Sequence, residues 1–97
     1  MHTMIVQAIK QRQVLAVFYD GYLRTVEPSV YGINSAGHEA LSCYQINGGS
    51  SSGVAEGWKM LLVSKLGTVN MTDQKFSPRS TSAPWSKTPM RTVYAQV

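Results

Sequence analysis

The dipeptide Asp20-Gly21 constrains this chain more than any other feature. It separates two strand-like runs, Val14–Tyr19 and Tyr22–Glu27, dense in β-branched and aromatic residues. A two-residue connection of this kind needs positive φ at both positions, which Asp and Gly tolerate, and its twist matches that of the strands it joins. The dipeptide therefore predicts a tight antiparallel hairpin. The return strand alternates Tyr22, Arg24 and Val26 with Leu23 and Thr25. Pro28 has no amide donor, so it is expected to end that strand or lie on an edge.

Further strand-like runs follow at hairpin spacing. Val30–Asn34 reads as a third strand, Ser35–His38 as a turn, and Glu39–Ile46 as a fourth strand. Trp58–Val63 reads as a fifth, with Trp58, Met60 and Leu62 as its buried face. Ser64–Gly67 reads as a helical turn, Thr68–Met71 as a short last strand, and Phe76 as an anchor closing the core. Only the opening segment has helical period: Met1, Met4, Ile5, Ala8 and Ile9 share one face, with Thr3 as a candidate cap. Short strands with one leading helix predict a mainly β, α+β fold, a small antiparallel β-barrel whose closure removes exposed edges. Residues 1–76 form that helix and barrel. Residues 77–97 form a Pro- and Ser-rich extension whose Trp85 and Tyr94 imply packing on the barrel or on a second subunit.

Composition bounds the function classes. A chain of 97 residues makes one domain with one modest core. The charged fraction of 14% is low and the net charge of +4 is spread along the sequence, so no basic arm is present. The single cysteine, Cys43, rules out an intrachain disulfide. The longest apolar run, Val14–Tyr19, is too short for a membrane span, and the first residues do not read as a signal peptide. These features lead to the expectation of a soluble, cytoplasmic protein without membrane contact.

The segment NGGSSSGVAEG, residues 47–57, bridges the fourth and fifth strands. Tyr44, Gln45, Trp58 and Lys59 flank it, and Ser50 and Ser51 lie within it. Consecutive amides in such a loop can form an anion nest, although the Walker pattern is absent and a plain hairpin connection has the same composition. Tyr44 and Trp58 either stack a base or fill the core. Arg24 either offers its planar fork to a phosphate or carboxylate, or pairs with Glu27 or Glu39 on an exposed strand. The candidate ligand-binding set is thus Arg24, Tyr44, Gln45, Ser50, Ser51, Trp58 and Lys59.

The leading helix, the run VLAVFYDGYLRTVEPSVYG, the segment ALSCYQ and the later WKMLLVSKLGTV together resemble the WYL domain family, over roughly residues 4–76. In that family a strand–turn–strand unit carrying an Arg leads into a Pro. A strand with a central aromatic follows, then an aromatic or basic strand that runs into a helical turn. The Trp-Tyr-Leu position corresponds to Cys43-Tyr44-Gln45, of which Tyr44 matches. The resemblance implies an SH3-like or Sm-like barrel acting as a regulatory module that senses nucleotides or nucleic-acid fragments. Such modules usually sit beside a helix-turn-helix domain. One N-terminal helix cannot make that motif, so a free-standing version is expected.

Two functions follow as expectations. The first is a non-enzymatic binding module for an anionic ligand such as a nucleotide or short single-stranded nucleic acid. The second is an assembly protein that forms a homo-oligomer or binds a host protein through its tail and sheet edge. No enzyme is expected: Cys43 reads as an inert strand residue, His38 as a turn residue, and no acid–base pair is visible. Neither metal-ligand spacing nor a cofactor motif is present, so none is expected.

Overall fold

The computed structural model describes residues 2–50, 53, 56–78 and 90–97. Helix α1 spans His2–Gln11 and buries Ile5, Ala8 and Ile9, the face its periodicity predicts. Thr3 lies inside the helix, so it does not cap it. Arg12, at φ 56°, ends the helix in the left-handed region, its amide bonded to the Ile9 carbonyl at 3.3 Å. Strand β1 (Gln13–Tyr19) and strand β2 (Tyr22–Asn34) then form the hairpin, paired from Tyr19↔Tyr22 to Leu15↔Val26. Asp20 and Gly21 carry φ of 51° and 80°, the two positive values this turn requires.

Pro28 does not end β2, the first of the two alternatives expected of it, since Tyr22–Asn34 is one continuous strand; it sits at a local gap on one side of that strand. The reason lies in its neighbours. On one side β2 pairs with β1 only as far as Val26, and with the last strand, β6 (Met90–Gln96), only from Val30. Pro28 falls between these two partners, where its missing N–H breaks no pairing with β1 or β6. On the other side strand β3 (Glu39–Gly48) runs along β2 from Arg24↔Gly48 to Ile33↔Glu39, with an irregularity between Pro28 and Val30. The β2–β3 turn is held by Asn34, whose Oδ1 accepts from the amides of Ala36 and His38, both at 3.0 Å.

Strand β4 (Gly57–Leu62) pairs with β3, a single 3-10 turn (Val63–Lys65) follows, and strand β5 (Leu66–Lys75) returns to pair with β1. The antiparallel sheet has the order β4-β3-β2-β1-β5, with β6 on β2. β4 and β5 stand at opposite ends of that order, yet three residues join them. β5 is longer than the Thr68–Met71 strand expected, and Phe76 is half-buried outside the core cluster, tied by its amide to the Arg12 carbonyl at 3.0 Å. Met90–Gln96, the apolar end of the expected extension over residues 77–97, forms a strand of the same sheet. Trp85 lies outside the described residues.

The core joins Ile5 and Ile9 of α1 to Leu15, Val17, Val26, Tyr31, Leu41, Cys43 and Leu61. Full burial of each such aliphatic side chain contributes roughly 1.5–3 kcal/mol. In β4 the core residue is Leu61, paired with Leu41, while Trp58, Met60 and Leu62 are only half-buried. This reverses the face expected from sequence: WKMLLV is apolar on both alternations, and pairing with β3 decides which side turns inward.

Two devices seat the ends of the chain. β6 crosses so close to Gly32 that a Cβ there would lie 1.9 Å from the Thr92 carbonyl oxygen. The Tyr31 hydroxyl donates to the Glu39 carboxylate and meets His2 Nδ1 at 2.7 Å. The rings of His2, Tyr31 and Tyr94 pack with centroids 5.0–5.4 Å apart. Burial and the Glu39 carboxylate hold the Tyr31 hydroxyl well above the usual tyrosine range. No helix among the described residues is long and apolar enough to cross a membrane.

Candidate ligand site

The hairpin turn sets the site. Because Asp20-Gly21 pairs Tyr19 with Tyr22, both rings lie on one face of the sheet, and Arg24, two residues on, shares it. That face is the inner one: Arg24 is only 3% exposed, which corrects the exposed-strand alternative. Its guanidinium carbon lies 5.1 Å from the Tyr19 ring centroid and 5.8 Å from that of Tyr22. Each such cation–π contact contributes ~0.5–2 kcal/mol, more as water is removed. Tyr19 is held by its hydroxyl, which accepts from the Leu62 amide at 3.2 Å.

Gln45 reaches the same place from β3. It pairs with Val26, so its side chain also faces inward, and it is fully buried. Arg24 Nη1 donates to Gln45 Oε1 at 3.3 Å, and Gln45 Nε2 donates to the Gly49 carbonyl at 3.0 Å. One amide thus ties the guanidinium to the mouth of the Gly/Ser loop. The backbones meet tightly there: at Gly48 (φ 107°) a Cβ would lie 2.3 Å from the Leu23 carbonyl oxygen and 2.7 Å from Arg24 Cα. At Gly49 a Cβ would lie 2.3 Å from Tyr22 Cδ1.

Arg24 Nε is buried and has no hydrogen-bond partner among the described residues. Gln45 takes Nη1, which leaves the side-on edge of the fork, Nε with Nη2, as the edge not used by Gln45. That edge matches two oxygens of a carboxylate or phosphate. A buried donor without a partner costs about 1–3 kcal/mol, more when charged.

The other expected residues divide between the two faces. Lys59 pairs with Cys43 and so stands on the side of Arg24 and Gln45. Burial pushes the Cys43 thiol up to about 12, against the opposing pull of the Arg24 and Lys59 charges. Tyr44 and Trp58, one position along each strand, pair with each other on the opposite face, rings edge to face with centroids 5.4 Å apart. The positive and aromatic residues expected to share one wall therefore do not all share it. Ser50 is half-buried, its carbonyl accepting from the Gly53 amide at 3.1 Å. Ser51 lies outside the described residues. Among the described residues no group of three His, Cys, Asp or Glu is arranged to hold a metal ion.

Tyr19 and Tyr22, which carry the guanidinium, are absent from the sequence-derived set. The signal for them was present: a two-residue turn fixes the register, and the register puts both tyrosines beside Arg24.

Comparison with protein families, with curated proteins and with solved structures returns no match for this chain.

Proposed function

We propose that this chain is a non-enzymatic binding module that holds an anionic ligand at Arg24. One observation carries the reading: a guanidinium 3% exposed, with a buried Nε–H that meets no acceptor among the described residues. A buried charge is normally paired. Here its neighbours are two ring faces and one amide, and an oxyanion completes the set. Gln45 and the tyrosines orient the fork; Lys59, on the same face, adds positive potential. The buried thiol of Cys43 is a poor nucleophile, which supports binding over covalent chemistry.

The nucleotide or short single-stranded nucleic-acid class, and a regulatory role, follow from the sequence resemblance to WYL domains. An SH3-like barrel is the matching architecture. It is supported by the three-residue link between the two outermost strands, which requires the sheet to curl until those strands approach each other. Calorimetric titration with adenosine monophosphate at low ionic strength tests the reading. Binding should weaken as salt rises and fall at least tenfold in Arg24→Met, with circular dichroism unchanged. Undetectable binding to the parent chain at low salt overturns it.

A second reading, assembly through the tail, draws on one observation. Val93 and Tyr94 of β6 are 47% and 46% exposed although adjacent residues point to opposite faces, so both faces of that strand meet solvent. Light scattering decides it: a monomeric mass at every concentration removes the assembly reading.

A further inference from the structure

The burial of Arg24 restricts how an anion can be presented to it. We infer that the site reads a terminal phosphate monoester, the end group of a nucleotide or strand, and not the internal phosphodiester of a polynucleotide backbone. This inference rests on the reading of Arg24 as an anion site.

The walls make the argument. The guanidinium lies against the rings of Tyr19 and Tyr22 and is bonded to Gln45. With 3% of the residue exposed, a ligand can present only a small group to it. A monoester has one substituent, so its phosphate can enter head first while the rest of the ligand stays outside. An internal phosphodiester carries a nucleoside on each side, and bringing its phosphorus to the same depth would bury both.

The chemistry agrees with the shape. A monoester is close to dianionic at neutral pH and presents three terminal oxygens, whereas a diester has one charge and two. Two of the monoester oxygens match the side-on edge of the fork, whose Nε–H lacks a partner. Tyr22 is the most exposed wall, at 40%, and its ring lies against Gly49 at the loop mouth. It is therefore the surface on which the part left outside would rest, and a base would stack there.

Five probes test this on the intact chain: adenosine, adenosine monophosphate, the dinucleoside monophosphate ApA, and a tetranucleotide in its 5′-phosphoryl and its 5′-hydroxyl form. Each is titrated against the parent and against Arg24→Lys, which keeps the charge but loses the fork and guards against a misfolded Arg24→Met. The expected result is adenosine monophosphate binding at least tenfold tighter than adenosine or ApA, with that preference lost in Arg24→Lys. A 5′-phosphoryl tetranucleotide that gains over its 5′-hydroxyl form identifies a strand end as a source. A gain confined to the mononucleotide identifies the free nucleotide; both results support the inference. ApA binding as tightly as the monophosphate, still dependent on Arg24, overturns end recognition while leaving the anion site intact. Binding of all probes that is the same in both Arg24 variants as in the parent overturns the anion site itself.

Discussion

Replacing Gly48 by alanine tests the geometry on which the site depends. The position carries φ 107°, outside the range that L side chains adopt with ease. Holding a non-glycine residue there costs of order 1–3 kcal/mol. The new Cβ would also lie 2.3 Å from the Leu23 carbonyl oxygen and 2.7 Å from Arg24 Cα. Both are backbone atoms, so no side chain can swing aside; β3 must move off β2 by roughly 1 Å, at a cost comparable to a ladder hydrogen bond of ~1 kcal/mol. Together these give about 3 kcal/mol, which for a domain of this size lowers Tm by about 12 °C or more. Gly53→Ala is the control, since φ is 80° there but nothing lies within 4 Å of the added Cβ. It should lose ~1 kcal/mol, the backbone term alone. Urea unfolding of both variants measures the difference. Gly48→Ala within 0.5 kcal/mol of Gly53→Ala would refute the close approach of β3 to Arg24, and with it the enclosed site.

Gly32→Ala should displace β6, because its Cβ would overlap the Thr92 carbonyl; hydrogen exchange should show faster exchange in Met90–Gln96 than in the β1–β2 hairpin. Tyr31→Phe removes the hydroxyl that joins His2 to Glu39 and should cost ~1–2 kcal/mol in urea unfolding, loosening the start of α1. Stability should fall as pH rises above 9. The Cys43 thiol, 9.0 by its ordinary value and about 12 when folded, stays protonated in the native chain while the unfolded chain releases the proton. The loss is absent below pH 9 and grows to at most ~4 kcal/mol at pH 12. Tyr31, also raised, adds to it above pH 10, and Cys43→Ala should flatten the first part of the slope.

Local signals proved most legible where one short rule determines geometry. Asp20-Gly21 fixed both the turn and the β1–β2 register, and the spacing of Ile5, Ala8 and Ile9 identified the helix face. Pro28 left two alternatives open because its effect depends on partners far away in the chain: it is harmless where β2 passes from β1 to β6, and no local pattern reveals that. β6 was hidden for a similar reason. Its alternation in MRTVYAQ is short, it follows a Pro- and Ser-rich stretch, and its pairing with β2 spans about sixty residues of sequence. In the candidate site, residue type pointed to Arg24, Gln45 and Lys59 together with Tyr44 and Trp58, but residue type does not assign a face. Tyr44 and Trp58 sit one step along the same strands, and one step reverses the direction of a side chain. Tyr19 and Tyr22 read as strand formers, and only the paired hairpin shows that they enclose a cation.

The central claim is that the Arg24 fork is held buried, with its Nε–H open to an incoming oxyanion. Nitrogen-edited NMR of the arginine Nε–H groups during titration with adenosine monophosphate tests it most directly. The account predicts one slowly exchanging Nε–H, absent in Arg24→Lys, that lacks a hydrogen-bond shift in the free protein and moves downfield to saturation as the nucleotide is added. An Arg24 Nε–H that already shows a hydrogen-bond shift, or one that stays fixed while the nucleotide binds elsewhere, would contradict it.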